Sequence, residues 1–294
     1  MPHRDVSLAR RLEESTAAAA ADFARALGRI RPGAAAAAEP IAGGFAIYAG
    51  VGSPLTIATG LGMAGEVGEG DLDRLEAFFR ARGVTARITV CPLAHPSLFD
   101  LLGRRGYALS GFDQVMVKSL ARGKGTEAAD PESPARRGAG GTGAQGTIAA
   151  RPIEPSESDL WIRTAARGFF DPAPVPPAVL SLYQTMSDFP DLTRFLAFMD
   201  GEPAGAAVVS ERNRLATLLA AGTLGAFRGR GIHRELLRVR LAHAERSGCD
   251  LAILNTAPGS VSERNAARAG FQVAYTKVGM FLDDRGGSEM LLHY

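Results

Sequence analysis

The sequence predicts an α+β fold that is built twice along the chain, each time as a mixed, mostly antiparallel sheet flanked by helices. In both halves, strand-like runs precede a long helix, and one strand and a short helix follow it. Each half closes on a glycine–aromatic pair, which begins at Gly106 or Gly270. Val90 lies sixteen residues before Gly106, and Leu254 lies sixteen before Gly270. This equal spacing indicates an internal repeat.

The elements of the two halves correspond in order. In the first half the pattern predicts strands at residues 45–49 and 54–60, a helix at 72–82, a strand at 87–91, a short helix and closing strands. In the second half it predicts strands at 194–199, 204–210 and 216–224, a helix at 232–247, a strand at 251–255, a short helix and closing strands. Because each long helix is a crossover connection, the strands on either side of it are expected to run parallel.

A composition break separates the halves. From about residue 121 to 147, Gly, Ala, Pro, Ser and charged residues replace every aromatic and large aliphatic residue. Such a segment cannot bury enough apolar surface to offset the entropy of ordering it. The sequence therefore predicts a first domain at 1–121, a flexible linker at 122–147 and a second domain at 148–294.

Charge and cysteine content exclude several classes of function. The 294 residues include 33 Lys and Arg against 31 Asp and Glu, so a net charge of +2 offers no field for nucleic acid or an acidic membrane surface. The N-terminal residues lack the continuous apolar core of a signal peptide, and no window reaches the roughly 18 apolar residues of a membrane span. Cys91 and Cys249 alone cannot form a disulfide framework or a four-thiolate zinc site. We predict a cytoplasmic protein without nucleic-acid or membrane partners; a homodimer remains open.

A basic glycine loop is the segment most informative about chemistry. Residues 223–233, TLGAFRGRGIH, run from a strand end into an amphipathic helix. Glycines let backbone N–H groups converge, the helix N-terminus adds partial positive charge, and Arg228 and Arg230 add full charges. This predicts a pyrophosphate cradle. A Walker loop would need Gly-Lys-Ser/Thr where residues 231–233 read Gly-Ile-His, and a dinucleotide fingerprint would need a further glycine.

The loop resembles the phosphate loop of the GNAT superfamily of acyl-CoA-dependent N-acyltransferases. That loop reads Arg/Gln-x-x-Gly-x-Gly/Ala, which residues 228–233 match in all but the last position. Residues 249–255 resemble the family's fifth strand, and residues 265–271 resemble its closing helix and Gly-Phe turn. The resemblance covers roughly residues 148–281. Together with the internal repeat, it implies two GNAT-like domains, of which the first is a degenerate copy.

The resemblance also implies a reaction and its site. The donor would be acetyl-CoA or another acyl-CoA as co-substrate, the acceptor a small-molecule or peptide amine that attacks directly, and no metal would take part. Backbone amides around Gly222 and Thr223 would polarise the thioester carbonyl, which makes Thr223 a catalytic position. The residues assigned to the cofactor are Gly222, Thr223, Arg228, Gly229, Arg230, Gly231, Ile232, His233 and Asn265.

Three departures from the family pattern leave the acid and base open. His233 stands where the family usually keeps Gly or Ala. Ala266 stands where the family often has a Tyr that acts as general acid, and residues 215–224 lack the carboxylate that often serves as general base. A non-catalytic acyl-CoA sensor is therefore the alternative function.

Several side chains are candidates by residue type alone. Tyr183, Tyr275 and Tyr294 could supply the acid, with Tyr275 as the predicted catalytic residue, although each could instead be a packed aromatic with a satisfied hydroxyl. Asn265 could contact the cofactor or cap a helix.

The corresponding loop of the first half has the opposite charge. Residues 60–71, GLGMAGEVGEGD, carry Glu66, Glu69 and Asp71 and no base. Like charges within several ångströms repel, so this loop is expected to refuse a pyrophosphate. We therefore predict that acyl-CoA binds only the second half.

Overall fold

The computed structural model describes residues 5–120, 146–171 and 173–282. Its helices are α1 (Val6–Ile30), α2 (Glu69–Arg80), α3 (Pro96–Arg104), α4 (Ser158–Phe170), α5 (Pro177–Asp188), α6 (Ile232–Arg246) and α7 (Val261–Arg268). Its strands are β1 (Ala37–Ile41), β2 (Gly44–Tyr48), β3 (Ile57–Thr59), β4 (Arg87–Val90), β5 (Tyr107–Ser119), β6 (Ile148–Pro152), β7 (Leu192–Met199), β8 (Glu202–Arg212), β9 (Leu215–Thr223), β10 (Leu251–Thr256) and β11 (Gln272–Leu282). The predicted α+β class, with mostly antiparallel strands flanked by helices, is confirmed.

The first of two compact units comprises residues 5–117 and 254–282. Its strands follow the order β1-β2-β3-β4-β11-β5. The strands β1, β2 and β3 are antiparallel, and α2 then crosses over so that β4 pairs parallel with β3, with Ala58 opposite Ile88. On its other side β4 pairs with β11, where Val90 is opposite Val278, and β11 also pairs with β5. The last strand of the described chain is therefore an interior strand of this unit.

The second unit is Lys118–Ile253. Here β6, β7, β8 and β9 form an antiparallel series, and α6 crosses over so that β10 pairs parallel with β9, with Leu251 opposite Leu215. The core includes Trp161 and Leu236, both fully buried. Each unit thus contains antiparallel strands, a long helix and a parallel strand in that order. That the first half is a degenerate copy stays a prediction.

The predicted domain bounds, 1–121 and 148–294, stay a prediction as well. The compact units follow a different boundary, because β11 pairs with β4 and β5 of the first unit. Residues 122–145 of the predicted linker lie outside the described residues. Within the described part of the chain, no helix has the length and apolar character needed to cross a membrane.

Candidate functional site

The predicted phosphate loop connects β9 to α6 in the second unit. A short 3-10 turn, Gly225–Phe227, follows the end of β9, and Gly231 is the N-cap residue of α6. Gly229 and Gly231 have φ values of +75° and +94°. Because side chains strain a backbone with positive φ, glycine at these two positions lets the chain turn from strand into helix within a few residues.

The backbone of this loop presents a row of free donors. From Gly229 to Arg234, no backbone N–H donates a hydrogen bond to any group in the described part of the chain. The first bond of α6 runs from the N–H of Glu235 to the carbonyl of Gly231, at 3.1 Å. Successive N–H groups at a helix N-terminus, where the helix dipole is positive, suit a bound phosphate or pyrophosphate.

Arg228 braces the loop through its side chain. Its Nε donates to the carbonyl of Thr223 at 3.2 Å, and its Nη2 donates to the carbonyls of Gly168 and Asp171 at 3.3 and 3.4 Å. The carboxylate of Asp171 in turn accepts the N–H of Gly225 at 3.1 Å. Arg228 and Asp171 therefore tie the loop to the C-terminal end of α4. Arg230 is exposed, with its guanidinium 6.0 Å from the ring centre of Phe227.

Three glycines allow the end of β9 to approach α4 and α6. A Cβ added at Gly222 would lie 3.1 Å from the backbone of Gly168, and one added at Gly168 would lie 2.8 Å from the backbone of Gly222. A Cβ at Gly205, on β8, would lie 2.8 Å from both the Gly222 carbonyl and the Ile232 side chain. The backbone at Gly222 and Thr223 is therefore held between α4, β8 and the start of α6.

His233, which the resemblance assigns to the cofactor, is mostly buried at the start of α6. Its Nδ1 atom has no hydrogen-bond partner among the described residues. Burial and, secondarily, the positive charge of Arg240 lower the pKa of His233 to about 4. The imidazole is therefore neutral at pH 7, and any contact it makes with a phosphate lacks a full positive charge.

The low pKa of His233 predicts a loss of stability in acid. As the pH falls from 6.5 towards 4, the unfolded chain takes up a proton that the folded chain does not, so the free energy of unfolding should decrease over this interval. His233→Gln lacks this titrating group. Its free energy of unfolding should therefore decrease less between pH 7 and pH 4 than that of the wild type, and the difference between the two decreases should be up to about 3 kcal/mol. Urea unfolding at both pH values would measure this; equal losses in the two proteins would contradict it.

Arg240 is a residue that the sequence interpretation missed. It lies on the buried face of α6, between Leu237 and Ala244, and is 1% exposed. Burial lowers its pKa to about 9, so the guanidinium remains charged at neutral pH. No carboxylate in the described ranges forms an ion pair with it. A charged residue at a position where the helical pattern expects an apolar one was the signal that could have found it.

Two predicted site residues, Tyr275 and Asn265, lie in the first unit. The hydroxyl of Tyr275, on β11, donates to a carboxylate oxygen of Glu13 at 2.6 Å, and burial, with Glu13 nearby, raises its pKa. Asn265 lies inside α7, where its side chain accepts from Arg268 at 3.3 Å. Ser260 caps α7, so the helix-capping alternative for Asn265 is wrong. The catalytic role of Tyr275 and the cofactor role of Asn265 stay predictions. Tyr294 lies outside the described residues.

Glu13 and Lys277 form a buried ion pair beside Tyr275. The Nζ atom of Lys277 lies 2.9 Å from a carboxylate oxygen of Glu13, and the two side chains are 7% and 1% exposed. This pair joins α1 to β11 within the first unit. Burial raises the pKa of the nearby Cys91 thiol to about 11. The charge of Glu13 also raises this pKa, and the charge of Lys277 lowers it.

The glycine loop of the first unit has its own partners. The N–H of Gly62 donates to the carbonyl of Ala42 at 3.0 Å, and the N–H of Val67 donates to Ser97 Oγ at 2.8 Å. At the start of α2, Asp71 accepts the N–H of Gly68 at 3.1 Å. The chain's own acceptors therefore occupy donors here, in contrast to the free donors of residues 229–234.

Within the described ranges, no group of three or more His, Cys, Asp or Glu could hold a metal ion. Whether a metal takes part in the reaction stays a matter of prediction.

Comparisons with known proteins found one matching family model and similar solved structures. A model of the acetyltransferase (GNAT) family matches residues 159–271. A GCN5-related N-acetyltransferase from Kribbella flavida has a similar fold, with a TM-score of 0.52 and 18% identity over 74% of this chain and 75% of that chain. A GCN5-related N-acetyltransferase from Sphaerobacter thermophilus gives a TM-score of 0.50 and 20% identity, over 71% of this chain and 63% of that chain. Curated proteins gave no significant match. The chain contains a GNAT acetyltransferase domain at residues 159–271.

Proposed function

We propose that this protein is an N-acetyltransferase that moves an acetyl group from acetyl-CoA to an amine by direct attack. The observation that carries the proposal is the row of free backbone N–H groups at residues 229–234, within the segment that the family model matches. Acetyl-CoA would supply an acetyl group that is activated as a thioester. The free N–H groups, the positive helix end and exposed Arg230 and Arg234 suit its pyrophosphate in number and charge.

Hydrogen bonds from Arg228 would hold the loop in the conformation that binds the pyrophosphate. Arg228 uses its guanidinium to hold the carbonyls of Gly168, Asp171 and Thr223, which leaves the loop's own N–H groups for the ligand. Preorganised donors bind an anion without the cost of ordering them at the moment of binding. We therefore assign Arg228 to the shape of the loop and the backbone of 229–233 to the pyrophosphate.

The end of β9 would supply the electrostatic part of the catalysis. Backbone groups at Gly222 and Thr223 are held between two helices and β8, so they have little freedom to reorient. Fixed dipoles aimed at a carbonyl that gains negative charge stabilise the transition state more than they stabilise the substrate. Together with positioning of the amine, they would account for most of the rate enhancement.

Proton removal from the amine has no dedicated base in this arrangement. The strand Leu215–Thr223 carries no titratable side chain, and His233, with a pKa of about 4, is a weak base. An amine with a pKa near that of Lys is mostly protonated at neutral pH and cannot attack until the proton leaves. Water would therefore remove the proton.

The rate with a simple amine should accordingly rise steadily towards alkaline pH, without an inflection between acid and neutral pH. Tyr183→Phe and His233→Gln should each slow turnover less than about tenfold. Initial rates of thiol release between pH 5.5 and 9.5 would measure this. A bell-shaped profile with an inflection near neutrality, removed by one of these substitutions, would reveal a dedicated acid or base and contradict the proposal of proton removal by water.

A non-catalytic acyl-CoA-binding module is the second candidate. It is favoured because β9 has no carboxylate and because Ala266, which is fully buried, stands where the family often has a Tyr that acts as general acid. Acetyl-CoA binding by calorimetry and thiol release with a panel of amines separate the two functions. Binding with amine-dependent thiol release supports the acetyltransferase. Binding without thiol release supports the sensor, and absence of binding contradicts both.

A further inference from the structure

The strand β9 contains a bulge immediately before Gly222. Ala206 of β8 is opposite Gly222, whereas Val208 is opposite Leu219, so one residue of β8 faces two of β9. One of these two, Ala220, has a φ of +47°, which is strained for a residue with a side chain. A bulge disrupts the ladder locally and redirects the backbone that follows it. Here that backbone is Gly222 and Thr223.

Two buried side chains donate to the carbonyls at this bulge. Arg240 Nη1 donates to the carbonyls of Val208 and Leu219, both at 3.2 Å, while its Nε donates to Leu236 in its own helix at 3.1 Å. From α4, the indole Nε1 of Trp161 donates to the carbonyl of Ala207 at 3.3 Å. The carbonyls of Ala207, Val208 and Leu219 therefore accept from these side chains at and beside the bulge, where the extra residue of β9 disrupts the ladder.

Burying the guanidinium of Arg240 at the bulge costs free energy. It is 1% exposed, and none of the carboxylates in the described ranges pairs with it. Burying a charge without an opposite charge is costly, and an apolar side chain of similar size on this face of α6 would avoid that cost. The hydrogen bonds that Arg240 donates at the bulge explain why this position holds an arginine rather than an apolar residue.

We propose that Arg240, with Trp161, is a positioning residue that fixes the bulge of β9 and thereby aims the backbone groups of Gly222 and Thr223 at the thioester. This inference rests on the proposed acetyltransferase function for its effect on turnover. The effect on the bulge itself does not depend on any ligand. Neither side chain needs to touch acetyl-CoA, since the bonds of both end on carbonyls of β8, β9 and α6.

The test compares four variants. Arg240→Met removes the donors and keeps the length of the side chain, Arg240→Lys keeps the charge, and Trp161→Phe removes only the indole donor. Arg238→Met is the matched control, because Arg238 lies on the exposed side of the same helix and, among the described residues, pairs only with Glu235, at 2.6 Å. Hydrogen exchange of peptides that cover residues 217–224 reports on the bulge, acetyl-CoA calorimetry on the loop, and thiol release on turnover.

In Arg240→Met and Trp161→Phe, exchange in residues 217–224 should increase about tenfold, with exchange in α6 little changed. Turnover should fall about thirtyfold or more in kcat for Arg240→Met, with the Kd and KM for acetyl-CoA within about threefold of the wild type. Arg240→Lys should recover part of both losses, and Arg238→Met should resemble the wild type. If Arg240→Met does not fold, Trp161→Phe and Arg240→Lys still decide the question.

Unchanged exchange at residues 217–224 in Trp161→Phe and in the Arg240 variants would overturn the proposal, whatever the activity. Parallel losses of acetyl-CoA affinity and kcat would also overturn it, because they would place the defect in the loop. A wild-type protein that fails to bind acetyl-CoA would instead contradict the proposed function, and the exchange experiment would still decide the role of Arg240 at the bulge.

Discussion

Replacing Gly231 by valine should lower the affinity for acetyl-CoA about a hundredfold or more. Gly231 has a φ of +94° and is the N-cap residue of α6, so a β-branched side chain forces the backbone out of this conformation. The N–H groups on either side would then point in different directions and no longer converge on one anion. Calorimetry with acetyl-CoA and with CoA would measure the change.

Gly201 supplies the matched control for this experiment. It has a φ of +86° in the turn between β7 and β8, and a Cβ there meets no atom within 4 Å. Gly201→Val therefore introduces similar backbone strain in the same unit while the loop stays intact, and it should bind acetyl-CoA like the wild type. Equal losses of affinity in the two variants would assign the effect to strain and contradict the loop as the binding site.

The stoichiometry of the same titration tests the role of the first loop. Wild-type protein should bind one acetyl-CoA per chain, and Glu66→Ala should leave the affinity unchanged, because donors in that loop already have partners within the chain. Two equivalent sites per chain would contradict this.

The second large effect concerns the buried ion pair of the first unit. Lys277→Met should lower the free energy of unfolding by about 3–5 kcal/mol, because it leaves the carboxylate of Glu13 buried without an opposite charge. The double variant Glu13→Leu with Lys277→Met should recover much of this loss, since it removes both charges. Urea unfolding followed by circular dichroism would measure both values.

An exposed ion pair of the same unit is the control. Arg74 and Glu39 lie 2.9 Å apart with side chains 55% and 41% exposed, so Arg74→Met should cost less than about 1 kcal/mol. If Lys277→Met costs no more than Arg74→Met, the buried pair does not stabilise the first unit more than an exposed pair does.

The segment from β9 to α6 could be predicted from the sequence almost to the residue. Its signals are local: an apolar strand, a glycine loop and a helical repeat follow one another directly, and the predicted helix at 232–247 is observed as Ile232–Arg246. The brace from Arg228 to α4 could not be predicted, because it joins residues about sixty positions apart. The charges of the loop were readable from the sequence, but their partners were not.

Helix α1 and the position of β11 show what sequence pattern misses. The middle of α1 is a run of alanines, which gives little contrast between an apolar and a polar face, and Ala21 and Ala24 become a buried face only by packing against Ile47 of β2. The sequence predicted closing strands but not that β11 lies between β4 and β5, since strand order depends on hydrogen bonds between distant segments. The buried ion pair between Glu13 of α1 and Lys277 of β11 is one of the contacts that hold β11 in this place.

The place of β11 also determines when the first unit can be completed during synthesis. Tyr275 and its partner Glu13 are 262 residues apart in the sequence, so a ribosome has translated nearly the whole described chain before they meet. Until residues 272–282 emerge, β4 and β5 lack the strand that lies between them, and each presents unpaired backbone groups of the kind that invite aggregation. The loop at 225–233 leaves the ribosome earlier. A premature stop codon shortly before position 272 would therefore produce a chain that retains this loop and whose first unit cannot close.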